Sequence, residues 1–141
     1  GEFSDQLKER KLSVVFTPPE EPAMILGDGR LLYRIMENML TNVGKYALEG
    51  SRVYINIDEE HKAGEPDMRI MTVKNISDAP LNIDTDELMS RFTRGDDARN
   101  TEGSGLGLAI ARDLAAVMGG RFRVSIDGDL FKCVLMMPTG A

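Results

Sequence analysis

The sequence has a single cysteine, Cys133, among its 141 residues. A lone thiol excludes an internal disulfide, and its place in an apolar run near the C-terminus reads as a core thiol of a reducing compartment. Also missing is any apolar run near the ~20 residues that cross a bilayer, and no signal peptide is present. The expectation is therefore a cytosolic segment without direct membrane contact, although a longer parent is compatible with the same residues. A basic excess is absent too: 17 Lys and Arg face 23 Asp and Glu, for a net charge of −6. Nucleic acid, which needs a cationic face, is excluded as a partner. What remains, 42% hydrophobic and 28% charged residues, is the composition of a globular domain long enough to bury a sizeable core.

Residues 1–11 read as a linker, 12–138 as the domain and 139–141 as a tail. Leu12 to Thr17 is strand-like and closed by Pro18-Pro19. Met24-Ile25-Leu26 is a short extended piece, and Asp28 is a good N-cap for a long helix over roughly 29–48. From Ser51 to Asp58, Val53, Ile55 and Ile57 alternate with Arg52, Tyr54 and Asn56, the pattern of a half-buried strand. The chain crosses a polar loop at 59–67 and returns as a second strand, Met68 to Asn75. Residues 76–104 carry little regularity beyond a short helix near 84–92, and the polar stretch 93–104 reads as a mobile lid. A second helix, Ala109 to Met118, stops at Gly119-Gly120. Phe122, Val124 and Ile126 alternate inward, Asp127-Gly128 turns the chain, and Leu130 to Met137 closes a terminal hairpin. This order predicts an α+β fold of two layers, a mixed and mostly antiparallel sheet covered on one face by two or three helices.

Chemistry concentrates in two places. In Glu102-Gly103-Ser104-Gly105-Leu106-Gly107-Leu108, three glycines at alternate positions run into the second helix. Glycine lets backbone N–H groups approach a ligand closely, and a helix start adds unpaired donors and a positive pole, which together suit nucleotide phosphate. An ordinary glycine-rich turn has the same composition, so the glycines alone leave both readings open. No Gly-Lys-Ser/Thr follows, which excludes a Walker A loop, and the third glycine comes one residue too early for a dinucleotide fingerprint.

The second place is the long helix. Leu32, Ile35, Met36, Met39, Leu40, Val43 and Ala47 form an apolar stripe for core packing. Arg34, Asn38, Thr41, Asn42 and Lys45 form another stripe about a quarter-turn away. Asparagine is a mediocre helix former, because its side chain competes for local backbone groups. An amide oxygen is a hard, neutral ligand that binds Mg2+ without adding charge beside a triphosphate, and a lysine one turn on can reach phosphate. A merely solvated helix face would also be polar.

Taken together, these segments resemble the catalytic domains of sensor histidine kinases. Asn38 to Ala47 resembles their N box, Leu88 to Asp96 their F box, and Gly103 to Leu108 their second glycine box, in the family's order and spacing. The resemblance runs from about residue 12 to Met137 and implies the Bergerat ATP-binding fold. It further implies ATP and Mg2+ as ligands, with Asn42 as the Mg2+ amide, Asn38 close to the phosphates, Lys45 on phosphate and Tyr46 beside the nucleotide. Gly105 and Gly107 match lid hinges, flanked by Gly103 and Leu106. Phe92 matches the F-box aromatic, and Arg94 and Arg99 are lid cations. The family's first glycine box, Asp-x-Gly-x-Gly, is altered to Asn75-Ile76-Ser77-Asp78-Ala79. Asn75 stands where the aspartate accepts from adenine, and strand parity with Met71 and Val73 aims it inward. Adenine recognition is expected to persist with modest affinity, Asp78 being the weaker substitute.

Hydrolases of this fold, such as the DNA gyrase B subunit, carry a catalytic glutamate four residues before the Mg2+ asparagine. Here that position is Asn38, and Glu37 points about 100° away. An amide cannot act as a general base, so the resemblance implies a kinase that transfers its phosphoryl group to a histidine. His61, the only histidine, lies in a charged loop as a solvated hairpin residue. The acceptor is expected on a dimerisation domain of a membrane-anchored parent, with a response regulator downstream, and the isolated domain is expected to be monomeric and unable to phosphorylate itself. The alternatives are a degenerate nucleotide-binding docking module and an anti-sigma-factor-type serine kinase.

Overall fold

The computed structural model describes residues 7–18, 29–78 and 106–139. Its elements are β1 (Ser13–Thr17), α1 (Gly29–Tyr46), β2 (Arg52–Glu60), β3 (Met68–Ile76), α2 (Leu106–Val117), β4 (Arg121–Asp127) and β5 (Leu130–Pro138). The five strands form one sheet in the order β1-β2-β3-β5-β4. β1 pairs with β2 in parallel, and the other neighbours are antiparallel. The mixed α+β fold predicted from element order is the one observed.

Strand alternation selects the covered face. Val53, Asn75, Phe131 and Ile126 lie in one cross-strand row, and Ile55, Val73, Cys133 and Val124 in the next. The apolar side chains among them join Ile35, Met39 and Val43 of α1, Ala47 just beyond it, and Leu108, Ala111 and Ala115 of α2, in a single core. Removing one α1 stripe side chain such as Ile35, which is fully buried, from water contributes roughly 1.5–3 kcal/mol. The small residues of α2 let the two helices pack side by side over the sheet. Cys133 is within this core, and burial pushes its thiol up to about 12, so it is a packing group rather than a nucleophile.

Several boundaries differ from the sequence reading. α1 ends at Tyr46 rather than 48, because Ala47 bridges Ser77 and the Leu48 N–H donates to the Ile76 carbonyl at 2.8 Å instead of continuing the helix. β2 runs on to Glu60, since Glu59 and Glu60 pair with Arg69 and Met68 in the ladder. α2 starts at Leu106, three residues early, so Leu106 and Gly107 belong to its first turn. The last hairpin turns at Gly128-Asp129 rather than Asp127-Gly128: Asp127 pairs with Leu130, and Gly128 takes φ 63°, as the first central position of a type II′ turn requires. The extended piece at 24–26, the Asp28 cap, the short helix near 84–92 and the lid at 93–104 lie outside the described residues.

α2 stops as expected. Gly119 has φ 78°, Gly119 N–H donates to Ala116 O at 3.0 Å and Gly120 N–H to Ala115 O at 2.9 Å, a Schellman cap that only glycine enters cheaply. Gly120 is needed for a different reason: a Cβ there would collide with the Met136 carbonyl oxygen and Met137 Sδ. Gly120→Ala is expected to lower unfolding free energy by about 1–3 kcal/mol through overpacking. Urea unfolding followed by circular dichroism measures this.

At the β2–β3 turn His61 is exposed, with Nδ1 2.9 Å from Asp67 and Nε2 3.0 Å from Glu59. The Asp67 hydrogen bond, then the one from Glu59, raise its pKa above the ordinary value. A folded-state pKa raised above the unfolded one stabilises the fold fully below the unfolded pKa, and this is lost as pH rises through the folded pKa. An NMR titration of the His61 ring is expected to give a pKa above about 6.5, falling towards it in Asp67→Asn.

Candidate functional site

The site is built where α1 meets the end of β3. The last turn of an α-helix leaves carbonyls without intrahelical partners. In α1 they are answered by distant segments. Asp78 N–H donates to Tyr46 O at 2.8 Å, beside the Ala47–Ser77 bridge and the Leu48–Ile76 bond. From the other side Arg10 donates to Ala47 O at 3.0 Å and also to Lys45 O. The polar stripe of α1 is thereby held against the strand end that carries Asn75 and Asp78. Asn42 lies one turn, and Asn38 two turns, back along the helix from this junction.

Within the stripe, Arg34 is exposed, Asn38, Thr41 and Lys45 are half-buried, and Asn42 is buried between core neighbours. Tyr46 is exposed. Asn75 points inward with Val73, as its parity predicted, and is only 2% exposed. Its Nδ2 donates weakly to the neighbouring Ile76 carbonyl at 3.3 Å, while its Oδ1 has no hydrogen-bond partner. A buried acceptor left unpaired costs about 1–3 kcal/mol and asks for a donor. The exocyclic amine of a purine is such a donor. Asp78 is exposed and contributes its backbone to the junction.

Leu106 and Gly107 open α2, and a helix start carries N–H groups without intrahelical partners and a positive pole. Phe92, Arg94, Arg99, Gly103 and Gly105 lie outside the described residues. No group of three His, Cys, Asp or Glu suited to a metal occurs among the described residues. An amide oxygen such as that of buried Asn42 is a hard, neutral donor of the kind that Mg2+ accepts. A cavity of about 160 Å3 near the start of α1, walled by Leu32, Met36, Ile57 and Met71 with Arg69 at its side, lies away from this junction. Its lining is apolar apart from Arg69. Arg69 pairs there with Glu59.

Arg10 was not singled out in the sequence reading, which placed it in the linker. No local pattern signals it, because its partners are 35 and 37 residues away.

Residues 27–139 match a family model described as histidine kinase-, DNA gyrase B-, and HSP90-like ATPase. The chain is 31% identical over 123 residues to the probable sensor protein PcoS of Escherichia coli, covering 84% of this chain and 25% of that protein. It is 38% identical over 102 residues to the sensor-like histidine kinase SenX3 of Mycobacterium tuberculosis, covering 71% and 24%. The chain thus spans about a quarter of the length of these curated relatives. Among solved structures, the catalytic domain of the histidine kinase ThkA has the same fold, with a TM-score of 0.70 at 18% identity over 97% of this chain and 85% of that one.

Asn75→Leu keeps the shape while removing the orphaned acceptor. Because exchanging an unsatisfied polar group for an apolar one of similar size is neutral or stabilising, the ligand-free protein is expected to gain between 0 and about 2 kcal/mol. Thermal unfolding without nucleotide checks this.

Proposed function

This chain belongs to the histidine kinase-, DNA gyrase B- and HSP90-like ATPase family, and on that premise we propose that it binds Mg-ATP at the α1–β3 junction as the catalytic domain of a sensor histidine kinase. The acceptor is a histidine on a separate dimerisation domain of a longer, membrane-anchored parent, and a response regulator receives the phosphoryl group next. The observation that carries the reading is the pair of buried amides, Asn42 and Asn75, the latter with an unpartnered Oδ1.

Each residue has a part. Asn75 accepts from the adenine amine, with Tyr46 beside the base and Asp78 at the pocket's edge. Asn42 would hold Mg2+ through its amide oxygen, and the ion would supply neutralisation of triphosphate charge. Asn38 sits near the phosphates, and Lys45 reaches them as a point charge. The start of α2, Leu106 and Gly107, offers backbone N–H groups to the same anion; Gly103, Gly105, Phe92, Arg94 and Arg99 are assigned to the nucleotide by the family resemblance alone. In the transfer, a histidine nitrogen attacks the γ-phosphorus in line. The bond to the β–γ bridging oxygen breaks, and ADP leaves with its electron pair. The domain contributes position and electrostatics to that step.

Transfer rather than hydrolysis is favoured by Asn38, which is no general base at the position where a water-activating carboxylate is needed. His61 is unsuited as acceptor: it is exposed on the β2–β3 turn between Glu59 and Asp67, whereas the nucleotide site lies at the other end of β3.

The test mixes this chain, γ-labelled ATP and a helical fragment carrying the acceptor histidine. Acid-labile, base-stable label on the fragment is expected. Binding without transfer would favour a docking module, and failure to bind Mg-ATP would sink the assignment. In titrations monitored by calorimetry, Asn42→Ala is expected to lose Mg2+-dependent binding by at least tenfold, as loss of a metal ligand should. Asn75→Ala should mainly erode the preference for ATP over GTP.

A further inference from the structure

We propose that Arg10 is a positioning residue for the phosphate end of this site, a role that rests on the nucleotide reading above. The C-terminal end of a helix carries about half a negative charge, and Lys45 sits in the last turn of α1. A triphosphate drawn to Lys45 therefore approaches the unfavourable pole of its own binding helix. Arg10 meets that pole. Its Nη1 donates to Ala47 O at 3.0 Å and its Nη2 to Lys45 O, placing a permanently charged, planar cation on the carbonyls that create the negative end.

The placement is held from several sides. Gly50 N–H donates to Arg10 O at 3.0 Å, Ser13 N–H to Ser51 O at 3.1 Å, and Leu12 N–H to Leu7 O at 2.9 Å. Lys11 takes φ 56°, turning the chain so that Arg10 faces the helix. Arg10 is half-buried, which limits screening of its charge. Both of its side-chain bonds are to main-chain carbonyls, and the neighbouring Glu49 lies 4.0 Å from Lys11 in an exposed pair. Two consequences follow for Lys45: its backbone is fixed at a helix end that would otherwise fray, and the local field changes from repelling phosphate to tolerating it.

A charge-neutralising role grades with ligand charge, and a merely structural one does not. The experiment measures affinity of this chain for adenosine, ADP and ATP, the last two with Mg2+, in wild type, Arg10→Met, Arg10→Lys, Lys45→Ala and the Arg10→Met/Lys45→Ala pair. Arg10→Met is expected to leave adenosine within about twofold while weakening ATP roughly fivefold, the scale of a helix-pole charge interaction. ADP should fall between, and Arg10→Lys should recover most of the loss. The ATP effect of Arg10→Met should shrink in the Lys45→Ala background, since both act on the same phosphates. Equal loss for adenosine and ATP, or unchanged ATP affinity, overturns the proposal. Should Arg10→Met fail to fold, Arg10→Lys carries the test, with a loss of about twofold expected for ATP and none for adenosine. A wild-type chain that binds no nucleotide, or a Lys45→Ala variant that binds ATP normally, instead overturns the nucleotide reading on which this rests.

Discussion

An α-helix ends with carbonyls that it cannot satisfy itself, and in this protein those of α1 are met by Arg10 on one side and the end of β3 on the other. The rest of the site depends on that exchange. Because Leu48 N–H turns to Ile76 O and Asp78 N–H comes back to Tyr46 O, a helix bearing amides and a lysine is joined to a strand end bearing an amide acceptor. Without the junction, Asn42 and Asn75 would be two unrelated polar residues in a core that has no use for them.

Core packing and the site share α1 by dividing its circumference. Ile35, Met39, Val43 and Ala47 are buried against the sheet, while Asn38, Asn42 and Lys45 follow the neighbouring stripe. Asn42 lies where the two stripes merge, which explains an amide in a buried mid-helix position. Asn75 has the same double character on β3. It occupies an interior-facing row with Val53 and Phe131, yet its Oδ1 is unpaired. A buried acceptor left unpaired costs stability.

The parts legible in the sequence were those set by local periodicity. The 3.6-residue stripe located α1, the alternation of Val53, Ile55 and Ile57 located β2, and parity with Val73 aimed Asn75 inward. Glycine chemistry located the stop of α2 at Gly119, where a left-handed φ is needed. Errors arose where a non-local bond overrode local preference. α1 stops short of 48 because the Ile76 carbonyl outcompetes the next helical acceptor, and β2 reaches Glu60 because Arg69 and Met68 continue the ladder. The final turn moved by one residue because the pairing of Asp127 with Leu130 left Gly128 to take the positive φ. Arg10 left no trace in local pattern, since its worth comes from carbonyls 35 and 37 residues distant.

By itself the sequence determined which faces are apolar, which residue types can hold phosphate, metal and base, and the order in which they occur. Those properties follow from side-chain chemistry and from the short periods of helix and strand, which need no knowledge of distant contacts. Tertiary structure alone decided that β5 inserts between β3 and β4, that the end of β3 is joined to the end of α1, and that Arg10 sits on the negative pole beside Lys45. These are settled by hydrogen bonds between groups far apart in the chain, made because buried carbonyls and N–H groups must find partners wherever the packed core brings them.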